Sequence, residues 1–355
     1  MKEAAHIVFV INERHVPYLA VSLYSLLYHS SPDNEYHIHI ILEAEGGGKA
    51  QNKLLNIAAA FPQARLDFVV PSAFIIARSQ ALKEATADAF FQKIHPDLPR
   101  LIFYRLFLAD MLPSCRKIIH LDCDTLICCD IAELYHTDLK GLPVGAIPDA
   151  GLLSSDLKSR FARHNISAPR SYFNAGVHIQ DLELFRNQGI GGRAASLLEQ
   201  HSFDFIEQDA LNVVLDRHWL RLGLEWNFSL PLFRISCPES YDSVPERERQ
   251  EGEEIERHGR WKIIHYAYCK PWTTPALESG SPVVSLWWRF AVRTPGFADI
   301  FRNKLDCDLK RLRHELRKQK VRRLFSFPAV KRKRRNKIDQ LAKKYNFLSS
   351  CLNAD

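Results

Sequence analysis

The chain of 355 residues is 46% hydrophobic and 25% charged, with 18 prolines and 15 glycines, a globular composition that excludes a collagen, a disulfide miniprotein and a largely disordered polymer. The formal net charge of +7 is unevenly placed: sixteen Lys and Arg between Lys310 and Lys344 face only Glu315 and Asp339, so that stretch carries +14 and the remainder −7. The length allows one large α/β domain or two smaller ones, each able to bury a core.

His6 to Ile11 (HIVFVI) is a short apolar run of the kind that forms a strand covered on both faces. It is too brief for a signal-peptide core, and no small-residue cleavage site follows it. Pro17 opens a helix to about His29, with Leu19, Leu23, Leu26 and Leu27 on one stripe. Tyr36 to Leu42 reads as a second strand, Lys49 to Ala60 as a helix, and Arg65 to Val70 as a third strand. This alternation predicts a mostly parallel sheet flanked by helices. A variable stretch at 72–97 and a helix from Leu101 to Met111 precede a strand at Lys117 to Leu121, which ends on Asp122-Cys123-Asp124. Further strands are expected at Gly145 to Ile147, reaching Asp149, at Tyr172 to Ile179, and at Lys262 to His265. Helices are expected near Asp181 to Phe185 and from Glu207 to Leu215. Glu246 to Arg257 reads as a solvated helix or loop.

From Phe297 onward, Phe297, Phe301, Leu305, Leu309, Leu312 and Leu316 recur every three or four residues among Lys and Arg, the pattern of an amphipathic basic helix that Pro328 stops. The chain therefore divides into a catalytic domain, 1–295, and a basic extension, 296–355. No run approaches the ~20 apolar residues of a membrane span. The eight cysteines form no CxxC pair and read as reduced thiols of a cytoplasmic protein rather than as a zinc site.

Open α/β sheets place ligands at the carboxyl ends of their strands, where Asp122 and Asp124 fall. Residues i and i+2 of a strand point to one side, so both carboxylates can meet one hard cation; taken alone, the pair reads more readily as a solvated turn, and its place directly after a buried strand favours the cation. His265 ends another strand and is either a packed core histidine or a third ligand. Imidazole beside two carboxylates tilts the choice toward Mn²⁺, with Mg²⁺ the alternative. Lys270 would bring an ammonium to phosphates held there.

Five ordered blocks resemble glycosyltransferase family 8, the bacterial lipopolysaccharide galactosyl- and glucosyltransferases related to glycogenin. They are the first strand with Ser22-Leu23 and Ser25-Leu26-Leu27 after it; Tyr104-Arg105-Leu106 before Leu121 to Thr125; Phe173-Asn174-Ala175-Gly176-Val177; Glu207 to Asn212; and His265-Tyr266 with Lys270-Pro271-Trp272. The resemblance implies a GT-A fold, Rossmann-like with a mostly parallel sheet, and a metal-dependent, retaining transfer of glucose or galactose from a UDP-sugar. It implies a metal held by Asp122, Asp124 and His265. Arg105, Cys123, Asn174, Asp149, Glu207 and Gln208 would surround the donor, Lys270 would meet the diphosphate, and Val10 to Asn12 would lie against the base.

Gln208, Asp209, Asp149 and Asn174 are then the catalytic candidates. Gln208, an amide beneath the anomeric carbon, favours a same-face displacement over a covalent glycosyl-enzyme; without the other blocks, Gln208 and Asp209 read as an ordinary helix start. Three positions depart from the family: Asn12 and Tyr268 stand where an acid and a glycine are usual, and Glu207 where Asp is common. The acceptor is expected to be a lipopolysaccharide or lipooligosaccharide core, met by loops within 72–100 and 150–170. The extension 296–345, with Trp287, Trp288, Leu324, Phe325 and Phe327, is expected to attach to the anionic inner face of the cytoplasmic membrane; no nucleic-acid partner is expected, since no reading element accompanies the basic tract. The competing readings are a catalytically silent nucleotide-sugar-binding protein tethered to membrane, disfavoured because Arg105, Asp122, Asp124, His265 and Lys270 are all present, and a nucleotidyltransferase, which leaves Asn174 and Gln208 unexplained.

Overall fold

The computed structural model describes residues 4–42, 48–94, 100–149, 151, 156–324, 335, 337–343 and 346. Two compact units, Met1–Pro295 and Gly296–Asp355, separate by their internal contacts. The first holds a seven-stranded sheet built from β1 (Ala5–Ile11), β2 (Tyr36–Leu42), β3 (Ala64–Val69), β4 (Lys117–Leu121), β6 (Val144–Pro148), β7 (Phe173–Asp181) and β8 (Trp219–Arg221) in the order β3-β2-β1-β4-β7-β6-β8. β5 (Thr125–Ile127) pairs antiparallel with β9 (Ile263–His265) in a small second sheet.

β1 is buried along almost its whole length, as its unbroken apolar run requires, and it lies parallel to β2 and β4. The helix Val16–Tyr28 returns across the sheet with Pro17 in its first turn and Leu19, Leu23, Leu26 and Leu27 buried. Its serines have a specific task. Ser22 Oγ lies 2.9 Å from Thr125 Oγ1, and Ser25 Oγ accepts from Ile127 N at 3.0 Å, so the helix holds β5 beside the end of β4.

One strand departs from the parallel expectation. β7 runs antiparallel to both β4 and β6, which otherwise share the direction of β1 and β8. The reversal brings the beginning of β7 to the carboxyl ends of β4 and β6: Asp122 N donates to Gly176 O at 2.8 Å, and Ile147 pairs with Asn174 after a register shift beyond Ala146. Asp122, Asp149 and Asn174 therefore meet on one edge, although Asn174 opens its strand while the two acids follow theirs.

The stretch expected to be a helix from Leu101 is a 3-10 helix, Arg100–Phe107, followed by a short α-helix, Leu108–Met111. With three residues per turn, Ile102 and Arg105 stack on one line, and both face the cavity described below. Helices also occupy parts of the chain without a clear periodic signal: Ala73–Ala85, Ile190–Gln200 and Pro282–Ala291. Of the segments expected to meet the acceptor, 95–99, 150 and 152–155 lie outside the described residues.

The aromatic pair expected at a membrane is otherwise employed. Trp287 is fully buried, its ring 5.3 Å from that of Trp272, and Trp288 Nε1 donates to Pro271 O at 3.0 Å. Five apolar residues of Pro282–Ala291 face inward, so this helix forms core. In the second unit the helix Phe297–Leu324 buries Leu309 and Leu312 and exposes Phe301. Its apolar stripe is thus partly engaged in packing. Phe325, Phe327, Pro328 and residues 331–334 lie outside the described residues. Among the described residues no helix is long and apolar enough to cross a membrane.

Candidate active site

A cavity of about 480 Å³ opens at the carboxyl edge of the sheet. Arg105, Asp122, Asp124, Asp149, Asn174, Glu207, Gln208, His265 and Lys270 all line it, joined by Gly151, Gly176, Phe233 and Tyr268. Val10, Asn12, Cys123 and Asp209 are not among its lining residues.

Asp122 and Asp124 converge, but not by strand alternation. β4 ends at Leu121, and 122–124 form the turn into β5. Thr125 Oγ1 donates to Asp122 O at 2.8 Å, and Tyr266 N donates to Asp124 O at 2.9 Å, which holds the turn from both sides. Each carboxylate then divides its oxygens. Asp122 Oδ1 accepts from Arg105 and Asp124 Oδ2 from Lys270, while Asp122 Oδ2 and Asp124 Oδ1 lie 3.7 and 3.6 Å from His265 Nε2.

His265 is oriented for this arrangement. Its Nδ1 is 2.9 Å from Asn227 Oδ1, and Asn227 Nδ2 donates to Asn174 Oδ1 at 3.0 Å, which fixes the amide's direction. An amide oxygen only accepts, so Nδ1 carries a proton and Nε2 is the nitrogen turned toward the carboxylates. Two oxygens and one nitrogen within 4.8 Å of one another are a donor set fit for a divalent metal, with the outer hydrogen bond metal-bound histidines ordinarily make. Gly176 completes the cradle: a Cβ there would stand 2.7 Å from Asp122 Oδ2 and closer still to His265 Cε1.

The electrostatics are tightly opposed. For Asp124, burial works upward, but the ammonium of Lys270 and the His265 imidazole together hold it well below the usual carboxylate range. Asp122 goes the other way, since burial and the neighbouring Asp124 charge outweigh Arg105. Glu207, which accepts from Arg105 at 2.9 Å, is pushed up to about 7, chiefly by burial. Burial and the two flanking aspartates push the Cys123 thiol up, so it stays protonated.

On the opposite wall, Gln208 is immobilised at both ends of its amide. Nε2 donates to Asp149 Oδ2 and to Tyr172 Oη, each at 3.2 Å, and Oε1 accepts from Ala175 N at 2.9 Å. Asp149 also accepts from Asn174 Nδ2 at 2.9 Å and from the hydroxyl of Tyr268. Tyr268 thus fills the space a glycine would leave open and reaches Asp149; its ring sits 5.0 Å from that of Phe233.

Asp209 points away from the cavity. Its carboxylate takes a bidentate contact from Arg160 at 3.0 Å, a bond of 2.5 Å from Tyr172, and Phe205 N at 2.9 Å. The last bond steadies a strained turn: Ile206 has φ +45°, rare for a β-branched residue, at the head of the helix Ile206–Val214 that carries Glu207 and Gln208. Asp209 is accordingly a positioning residue in this geometry.

The end of β1 lies near the same edge. His15 Nδ1 is 2.6 Å from Asn12 Oδ1, and the charges of Asp124, Lys270 and Asp122 reach the His15 ring. Val10 is a core residue. Trp272 stacks on Tyr18 at 3.9 Å, which anchors the segment bearing Lys270 to the first helix. Sequence reasoning missed Asn227, Tyr172, Phe205, Phe233 and His15. None belongs to a recognisable motif; the turn at Ile206 and the reversal of β7 bring Phe205, Tyr172 and Asn227 to their partners.

The reversed strand within a mostly parallel sheet, with its cavity on the carboxyl edge, is the architecture of the GT-A fold. The chain belongs to glycosyl transferase family 8, whose profile matches residues 6–276. Among curated relatives, General stress protein A of Bacillus subtilis is 28% identical over 231 residues, covering 63% of this chain and 74% of that protein. The glycosyltransferase GlyF of Streptococcus pneumoniae is 24% identical over 203 residues, covering 55% of this chain but only 43% of its partner. Among solved structures, the bifunctional glycosyltransferase WbbM superposes with a TM-score of 0.68 at 18% identity, covering 85% of this chain and 52% of that one. The galactosyltransferase LgtC, solved with donor and acceptor sugar analogues, gives 0.61 at 19% identity over 82% and 96%. At such identities the structures speak for the fold alone.

Proposed function

We propose that this glycosyltransferase is a metal-dependent, retaining hexosyltransferase that moves glucose or galactose from a UDP-sugar to a saccharide acceptor, a lipopolysaccharide or lipooligosaccharide core. The observation carrying this reading is the division of the carboxylate oxygens: one from each of Asp122 and Asp124 meets His265, the other meets a cation. Mn²⁺, with Mg²⁺ as the alternative, would be held by Asp122, Asp124 and His265 and would neutralise charge on a diphosphate leaving group.

The chain's own residues supply the rest. Lys270 and Arg105 present cations on the metal side of the cavity, where a departing diphosphate gains charge. Asp149, Asn174 and Gln208 form a hydrogen-bonded wall suited to sugar hydroxyls and to an oxocarbenium-like state. Gln208 is an amide and a poor nucleophile, and Asp209 is turned toward Arg160, which supports same-face displacement. The acceptor oxygen bonds to the anomeric carbon as the bond to the diphosphate breaks, and the hydroxyl proton passes to a diphosphate oxygen.

A donor screen tests the reading. Purified protein with Mn²⁺ is expected to hydrolyse UDP-glucose or UDP-galactose selectively and to stop on chelation; equal, chelator-insensitive rates on every UDP-sugar would overturn it. The basic stretch 296–345 is proposed to rest on an anionic membrane surface, on charge rather than on Trp287 and Trp288, each basic residue contributing up to ~1 kcal/mol. The full chain should co-sediment with phosphatidylglycerol vesicles, and changing residues 331–335 from KRKRR to glutamines should weaken that; undiminished binding contradicts the proposal.

A further inference from the structure

The amino-terminal part of the same sheet holds a second cluster that the transferase reading does not use. His6 comes from β1, His39 from β2, and Cys115 from the turn leading into β4. His6 Nδ1 lies 2.9 Å from His39 Nε2, and Cys115 Sγ lies 3.5 Å from the former and 4.0 Å from the latter. The two rings stack with centroids 5.3 Å apart and planes 5° from parallel. His39 and Cys115 are buried while His6 is partly exposed, which leaves the cluster an approach from one side.

We propose that His6, His39 and Cys115 form a second metal site, for a thiophilic transition-metal ion, zinc foremost, with a fourth position open to water. Among the described residues no fourth side chain joins these three. A tetrahedral zinc with ordinary Zn–N and Zn–S bonds needs its nitrogens about 3.3 Å apart and each nitrogen about 3.5 Å from the sulfur. The observed 2.9, 3.5 and 4.0 Å need adjustments of about 0.5 Å at most, within reach of side-chain rotation. One thiolate and two imidazoles are a soft set that suits zinc and discriminates against Mg²⁺ and Mn²⁺.

Protonation is compatible with this use. Burial, aided by the neighbouring His6, lowers His39 to about 4, so it presents a neutral ring. Burial raises the Cys115 thiol, so binding forms the sulfur–zinc bond and releases the thiol proton to solvent. The ion would tie β1 and β2 to the start of β4, the strand whose far end leads to Asp122 and Asp124 in the cavity. The competing account is a neutral hydrogen-bonded trio with no metal affinity.

Metal titration of the full-length protein separates the two. Co²⁺ added to the wild type is expected to give a thiolate-to-cobalt charge-transfer band, retained in the double variant Asp122→Asn/Asp124→Asn and lost in Cys115→Ser. The carboxyl-edge donor set of Asp122, Asp124 and His265 contains no sulfur, and loss of the band in Cys115→Ser separates it from Cys123 and Cys237 near that edge. Absence of the band from folded wild type, or its persistence in folded Cys115→Ser, overturns the proposal. Should Cys115→Ser fail to fold, alkylation of wild-type Cys115, followed by peptide mass spectrometry, decides: Zn²⁺ slows it if the site exists, and an unchanged alkylation rate contradicts it.

Discussion

The two ends of the central sheet carry three potential metal ligands each, and they differ in nearly every physical respect. At the carboxyl edge the donors are two carboxylate oxygens and an imidazole, the remaining oxygens are held by Arg105 and Lys270, and a cavity of about 480 Å³ stands in front. Near the amino ends the donors are two imidazoles and a thiol, with His39 and Cys115 buried. The first arrangement keeps fixed charges beside open space, where a charged substrate can enter and a leaving group can be stabilised. The second is compact, suited to holding strands together. On the proposed readings, one fold separates a hard site suited to chemistry from a soft site suited to binding, and the difference lies in what surrounds the donors.

That contrast can be broken most forcefully at Lys270. Lys270→Ala should lower UDP-sugar turnover by about 10²–10³-fold, the scale of losing one preorganised electrostatic contact to a transition state, while leaving the cobalt–thiolate spectrum of the other end unchanged. Steady-state kinetics beside that spectrum check it; equal turnover would remove Lys270 from the leaving-group side. Next in size is Asn227→Leu, which takes away the partner that sets the His265 tautomer. It should weaken the Mn²⁺ dependence of turnover by about 10–100-fold, read as a shift in the activating metal concentration with less change at saturation. A loss that saturating Mn²⁺ fails to restore would show that Asn227 is needed for something other than orientation.

The smallest effect is a pH dependence. Glu207 has a folded pKa raised to about 7 from an ordinary 4.5, burial being the main cause. Between those values the folded state holds a proton the unfolded state has lost, so stability is fully present below about pH 4.5 and falls as pH rises through 7, with a slope of at most ~1.4 kcal/mol per pH unit. Glu207→Gln should flatten that slope, measured by urea unfolding at several pH values. An identical slope in the variant would mean the carboxyl is ionised in the folded chain throughout.

Much of this was written in local pattern. Continuous apolar runs marked β1, β2 and β4, and the acids after β4 and β6 fell at strand ends where ligands collect. What pattern does not carry is direction and distance. A buried strand reads the same forwards and backwards, so the reversal of β7, which delivers Asn174 and Gly176 to the metal-side cradle, has no periodic signal. Asp122 and Asp124 were correctly paired for the wrong local reason: the convergence is made by a turn pinned by Thr125, Gly176 and Tyr266. Trp287 and Trp288 read as interfacial anchors because adjacent aromatics beside a basic tract suit a membrane, yet their helix buries a wide apolar face. The His6, His39 and Cys115 cluster escaped because its ligands come from three separate segments, with none of the close spacing by which metal sites are read.

Comparing wild type with Asp124→Ala tests most directly whether Asp122, Asp124 and His265 make one metal-dependent transferase site. Both would be assayed for UDP release from UDP-glucose and UDP-galactose in Mn²⁺, with circular dichroism confirming that both are folded. The account predicts turnover on at least one of these donors that chelation abolishes in the wild type and that the folded variant lacks. Equal turnover by the two proteins would contradict it.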